Sequence, residues 1–87
     1  MEKIYNMIDI ESYTTEDNLT IILNDTDVYI LDAISTLIYN FCKGLSFNDI
    51  IARIQEQCTN LPDLQTLQND TTEILSEMIE KKLIKTS

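Results

Sequence analysis

The spacing of apolar residues changes at Asp32, and this change constrains the fold more than any other feature of the sequence. Before Asp32, apolar residues form two short β-rich runs, 19–23 and 28–31, separated by turn-forming residues at 24–27. After it they recur every three or four residues, at Ile34, Leu37, Ile38, Phe41 and Cys42. The pattern predicts a β-hairpin followed by a helix with Asp32 as its N-cap.

The next segments carry helix end signals. Lys43 and Gly44 supply a favourable cation and a left-handed stop after the first helix. Ser46, with Asp49 three residues later, resembles a capping box that opens a second helix ending near Cys58. The apolar face of this second helix consists of Phe47, Ile50, Ile51, Ile54 and Cys58.

A third helix is predicted from about Pro62 to Lys81, because proline in the first turn loses no helical hydrogen bond. Its apolar positions leave a polar interval at residues 68–73. Asp70, with Glu73 three residues later, is suited to cap a new helix there. The sequence therefore permits one continuous helix, which we favour, or two shorter ones.

Residues 7–15 alternate apolar and polar side chains, which predicts one more strand beside the hairpin. The expected fold is α+β and winged-helix-like, a three-stranded antiparallel sheet followed by three helices (βββααα). With 87 residues and 44% hydrophobic composition, the chain supports one core, so residues 1–87 are expected to form a single domain.

Localisation and cysteine chemistry are also constrained. The sequence has no apolar run long enough to cross a bilayer and no signal peptide, so we expect a cytoplasmic protein with no membrane partner. Cys42 and Cys58 are far apart in sequence, without a CxxC motif or any histidine. We expect both to be buried small hydrophobic residues and to bind no metal.

The charge balance disfavours nucleic acid as a partner. Six basic and fifteen acidic residues give a net charge of −9, whereas nucleic-acid binders rely on Lys and Arg to neutralise phosphates. The acidic surface serves either solubility alone or the attraction of a basic partner.

The sequence also argues against catalysis. Histidine, the usual general base near neutral pH, is absent, and no serine or cysteine has a base or a glycine-rich oxyanion loop beside it. Asp25, Asp27 and Asp32 lack the glycine and terminal glutamate of a calcium loop. The single glycine, Gly44, cannot form a phosphate-binding loop. We therefore expect no enzyme activity and no cofactor.

Several residues follow the pattern of the PqqD-type proteins, which the chain resembles from about residue 19 to 84. The matching positions are Leu31, Asp32, Ile38 and Gly44, then Asp70, Ile74, Leu75, Met78, Leu83 and Ile84. Three positions depart from the pattern: Asp32 replaces the usual Asn, Thr71 the usual Val, and Lys82 the usual Gly. Asp and Asn are both good N-caps, so the first exchange keeps its structural role, whereas Lys82 removes a residue tolerant of a left-handed turn.

The resemblance implies a stand-alone recognition element of ribosomally synthesised, post-translationally modified peptides (RiPPs). Such proteins bind the leader peptide of a precursor and deliver it to a modifying enzyme or leader peptidase in lasso-peptide, radical-SAM-peptide or PQQ-type biosynthesis. In the family the leader adds as a strand beside the third strand, in the groove next to the third helix. These elements correspond here to residues 28–31 and 64–75.

An edge strand also favours peptide binding on physical grounds, because its unpaired backbone groups accept another extended chain. The expected peptide-binding residues are Val28, Tyr29, Ile30, Leu31, Leu64, Leu67, Gln68, Thr71 and Leu75. Leu31 and Leu67 fit core positions better than binding positions. We expect Asp63, Asp70 and Glu73 to attract lysine or arginine of the leader, together with the hairpin aspartates.

Two alternatives remain open at this point. One is a small acidic winged-helix scaffold or regulator that binds a protein partner. The other is a dimerisation module whose strand edge pairs with a second copy. For the leader-binding protein itself we expect a monomer or a weak dimer.

Overall fold

The α+β class is confirmed by a computed structural model, which describes residues 3–17, 19–24 and 27–87. Its elements, in chain order, are β1 (Ile4–Met7), β2 (Glu11–Thr14), β3 (Thr20–Asn24), β4 (Asp27–Leu31), α1 (Ala33–Phe41), β5 (Lys43–Ser46), α2 (Phe47–Gln57), α3 (Leu64–Glu80) and β6 (Ile84–Thr86).

The predicted three-stranded sheet is present as the antiparallel meander β2–β3–β4. In its register, Ile22 lies opposite Tyr29, and Thr20 lies opposite Leu31. Ile22, Thr20 and Leu31 are buried, so this face of the sheet packs on the helices, whereas Val28 and Ile30 lie on the opposite face and are exposed. Asp25 and Thr26, in the predicted turn, lie outside the described residues.

A second antiparallel sheet, in the order β5–β1–β6, was not predicted. It adds a strand before the meander, one between α1 and α2, and one at the end of the described chain, which extends the expected βββααα order. Each of these strands has only three or four residues. They exist because segments beside helix ends come together in space, which no local pattern reveals.

Gly44 has the left-handed conformation that the sequence predicted, but it lies in a strand and not at the end of a helix. α1 already ends at Phe41, and Gly44, with φ of 80°, lies inside β5. Leu45 pairs with Tyr5 and Lys43 pairs with Asn6, so Gly44 is the extra residue of a β-bulge. The predicted helix stop is therefore wrong, and the positive φ serves the second sheet.

The predicted N-caps of the first two helices are confirmed. The Asp32 Oδ1 accepts a hydrogen bond from the Ser35 N–H at 2.8 Å, and the Ser46 Oγ accepts one from the Asp49 N–H at 3.2 Å. α3 begins after Asp63, whose Oδ1 accepts from the Thr66 N–H at 3.4 Å. It continues through Asp70 without a break, which confirms the continuous helix.

The hydrophobic core lies between the three helices and the inner faces of the sheets. Its fully enclosed side chains include Ile22, Ile38, Ile50, Ile54, Leu75, Leu83 and Ile84. Cys42 is buried among them, whereas Cys58 is only half-buried. Leu31 and Leu67 are also buried, in agreement with their fit to core positions.

Candidate functional site

β4 is an edge strand. In the described part of the chain its only hydrogen-bonded neighbour is β3, so the backbone groups on its other side face outward. Tyr29 and Leu31 point to the inner face of the sheet, while Val28 and Ile30 on the outer face remain 61% and 67% exposed. An edge of this kind is able to pair with another extended chain.

A groove of about 300 Å³ lies between α1 and α3. Its floor consists of Ile38, Ile54, Leu67 and Thr71, all buried. Its walls and rim consist of Ile34, Asp70, Glu73, Ile74 and Glu77, and Leu61 and Pro62 close one end. Ile34 lies in the first turn of α1 and follows the last residue of β4 by three positions, so β4 leads directly into the helix that forms one wall of the groove.

The rim of the groove is acidic. Asp70 and Glu73 are exposed, and the Glu77 Oε1 lies 3.4 Å from the Lys81 Nζ. Among the described residues that line the groove there is no lysine or arginine. Because Asp70 and Glu73 are exposed, their attraction for a cation is screened by salt.

Thr71 is an unusual member of the floor. Its side chain is 1% exposed, and its Oγ1 has no hydrogen-bond partner in the described part of the chain. A buried hydroxyl without a partner is destabilising, because it loses hydrogen bonds to water and gains none. Thr20 Oγ1, on β3, is in the same situation but lies away from the groove.

Two contacts hold β4 in place relative to the groove. The Thr36 Oγ1 donates a hydrogen bond to the Leu31 carbonyl at 3.3 Å, which attaches the end of β4 to α1. The Lys81 ammonium lies 5.5 Å from the centre of the Tyr29 ring, which connects the middle of β4 with the end of α3.

The structure brings part of the predicted peptide-binding set together. Leu67 and Thr71 line the groove, and Tyr29 and Leu31 lie on the inner face of the neighbouring strand. Val28 and Ile30 share the edge strand but face away from the groove.

The other predicted residues lie elsewhere. Leu64 is half-exposed and Gln68 is half-buried, and neither lines the groove. Leu75 is a core residue, 2% exposed. Of the predicted charge contacts, Asp70 and Glu73 line the groove, whereas Asp63 caps α3.

Several lining residues were not predicted from the sequence, of which Ile34, Ile74 and Glu77 matter most. Asp70, Ile74 and Glu77 are spaced by four and three residues, so they form one stripe along α3, and this signal was present in the sequence. The position of Ile34 opposite that stripe depends on how α1 packs on α3, which no local pattern contains.

Among the described residues no group of three or more cysteine or carboxylate side chains lies close enough to hold a metal ion. Burial raises the pKa of the Cys42 thiol to about 12, which keeps it protonated near neutral pH. No helix in the described ranges has the length and apolar character needed to span a membrane.

The chain is similar to known proteins in its fold and in its sequence family. No curated protein matches the chain. The fold is similar to that of a solved structure of TbiB1 in complex with the TbiA(beta) leader peptide, with a TM-score of 0.77 and 20% identity over 92% of this chain and 94% of that chain. The family described as "Coenzyme PQQ synthesis protein D (PqqD)" matches residues 19–84, a range that contains both the edge strand and the groove. The chain therefore belongs to the PqqD family.

Proposed function

We propose that this protein binds the leader peptide of a ribosomally synthesised precursor, which adds as a strand to the open edge of β4. The observation that carries the proposal is the open edge of β4, whose last residue is hydrogen-bonded to α1, the helix that forms one wall of an apolar groove. The TbiB1 structure, which has a similar fold, contains a leader peptide, and this supports the same class of ligand.

The two parts of the site have different roles in this proposal. Backbone pairing along β4 supplies affinity that depends little on sequence, and the groove supplies selectivity through the side chains that it accepts. A dissociation constant of ~1 µM corresponds to about −8 kcal/mol, which suits a protein that must also release its peptide.

The bound precursor is delivered, in this proposal, to a modifying enzyme or leader peptidase of lasso-peptide, radical-SAM-peptide or PQQ-type biosynthesis. The support is membership of the PqqD family. The protein itself acts as a binding partner and catalyses no step.

An NMR titration tests the binding step. The ¹⁵N-labelled protein is titrated with leader peptides of precursors encoded beside its gene, and a scrambled peptide of the same composition serves as the control. We expect the largest amide shifts at 28–31 and at the groove-facing residues of α1 and α3, together with slower amide hydrogen exchange in β4. If every such leader shifts only amides on other surfaces, the proposal is contradicted. The alternative of a small acidic scaffold or regulator that binds a protein partner is then favoured.

The dimerisation alternative is separated by light scattering after size exclusion, over a range of protein concentrations. Leader binding to β4 requires a free edge, so we expect a monomer, or a weak dimer that dissociates when the peptide is added. A dimer that persists on dilution and excludes the peptide supports the alternative.

A further inference from the structure

The geometry points to a specific ligand class for the groove: we infer that it binds a lysine or arginine side chain of the peptide that pairs with β4. This inference rests on the proposed function, because it identifies the residue that the leader places beside α3. It depends on three features of the groove, namely its rim, its floor and the hydroxyl of Thr71.

The rim supplies charge of one sign. Among the described residues no lysine or arginine forms an ion pair with Asp70 or Glu73, and both stand on the exposed side of α3 at the mouth of the groove. Glu77, the third carboxylate, is already 3.4 Å from the Lys81 Nζ. The first two are therefore the groups available to a cation from the peptide, and a carboxylate on the peptide is repelled there.

The apolar walls and floor fit the apolar part of a basic side chain. Lysine and arginine carry a stem of methylene groups that packs on apolar surface while the charged head stays near solvent. Ile34, Ile38 and Ile74 supply such a surface on both sides of the groove. A short acidic or polar side chain leaves this surface uncovered.

The hydroxyl of Thr71 is an independent indication of a ligand. Its Oγ1 is buried and unpartnered, it belongs to the groove floor, and Asp70 precedes it on α3. A hydroxyl oxygen accepts a hydrogen bond from an ammonium or guanidinium N–H. The Oγ1 is enclosed in the free protein, so this contact requires the Thr71 side chain to rotate toward the groove. An arginine that then donates both to the Asp70 carboxylate and to the Thr71 hydroxyl satisfies the orphaned atom as well as the charge.

The probe for the first test is a displayed library of random twelve-residue peptides, selected on the intact protein. Selected peptides are then synthesised and mapped by amide shifts, so that only those that reach β4 and the groove are counted. We expect a lysine or arginine at a constant spacing from the residues that pair with β4.

The charge is tested with one selected peptide and its variant that carries glutamine in place of the basic residue. Because Asp70 and Glu73 are exposed and exposed ion pairs are each weak, we expect the exchange to weaken binding by several-fold to about tenfold at low salt. In the protein, the double substitution Asp70→Asn and Glu73→Gln should remove most of the difference in affinity between the basic peptide and its glutamine variant. Glu56→Gln, on α2, removes one charge away from the groove and is the matched control.

The Thr71 contact is tested with Thr71→Val, which keeps the shape of the side chain and removes the hydroxyl. We expect the free variant to be at least as stable as the natural protein and to bind the basic peptide several-fold more weakly. Thr20→Val removes the other unpartnered hydroxyl and is expected to leave binding unchanged. Equal binding by the natural protein and Thr71→Val overturns the role of Thr71.

The outcomes separate this inference from the proposed function. If the selected peptides shift β4 and the groove but show no preference for basic residues, the inference is wrong and leader binding stands. If no selected peptide shifts β4, the proposed function and the inference fail together. If basic peptides are selected but shift only surfaces away from the groove, the inference is again overturned.

Discussion

The ammonium of Lys81 lies over the ring of Tyr29, 5.5 Å from its centre, and so joins the end of α3 to the middle of β4. The same ammonium is 3.4 Å from the Glu77 Oε1 on the preceding turn of the helix. One side chain thus contacts both the edge strand and the acidic rim. This contact helps to hold the strand beside the groove, which the proposed mode of peptide binding requires.

Lys81→Met is expected to lower the free energy of unfolding by about 1 kcal/mol or less, because a partly exposed cation–π contact and an exposed ion pair are each weak. Methionine keeps the apolar part of the side chain. Urea unfolding followed by circular dichroism measures the change. Lys85→Met, on β6, is the control and should change stability less.

The two faces of β4 are expected to respond differently to substitution. Tyr29 faces the helices and Ile30 faces solvent, so Tyr29→Thr should weaken leader binding clearly, whereas Ile30→Thr should leave it within about twofold, or 0.4 kcal/mol. Threonine suits a strand in both positions. Fluorescence anisotropy with a labelled leader measures both affinities. Equal losses in the two variants would mean that the peptide covers the outer face of the sheet.

Lys82 is expected to be a site where glycine stabilises the protein. It follows α3 with φ of 61°, and the Leu83 N–H bonds to the Met78 carbonyl at 2.9 Å, which completes a Schellman motif. A side chain in this conformation costs about 1 kcal/mol, so Lys82→Gly should raise the free energy of unfolding by roughly that amount.

The control for Lys82→Gly is Asn60→Gly, at the other described non-glycine position with positive φ, 57°. Asparagine tolerates the left-handed region better than lysine does, so this substitution should stabilise less. Thermal unfolding of both variants under one condition compares them. A larger gain at Asn60 contradicts the assignment of strain to Lys82.

The features that could be predicted from sequence are those encoded within one turn or one hairpin. Asp32 and Ser46 cap helices as their neighbours indicate, and the hairpin leads into α1 as the change in apolar spacing predicts. The second sheet could not be predicted, because β1 pairs with segments about 40 and 80 positions away. The groove has the same limit. Leu67 and Thr71, on α3, were expected beside the peptide and line the groove, whereas the position of Ile34 depends on how α1 packs on α3.

Burial of Cys42 should make the protein less stable at high pH. Its pKa is raised from 9.0 to about 12 by burial, so between these values the unfolded chain loses the thiol proton and the folded chain keeps it. Ionisation then favours unfolding, and the contribution of Cys42 to stability, complete below pH 9, declines by up to about 1.4 kcal/mol per pH unit above it. Burial also raises the pKa of Tyr39, which acts in the same direction at higher pH.

We expect Cys42→Ala to be less stable than the natural protein at pH 7 but to lose less stability from pH 8 to pH 10, measured by urea unfolding at each pH. A natural slope in Cys42→Ala would show that the decline has another origin.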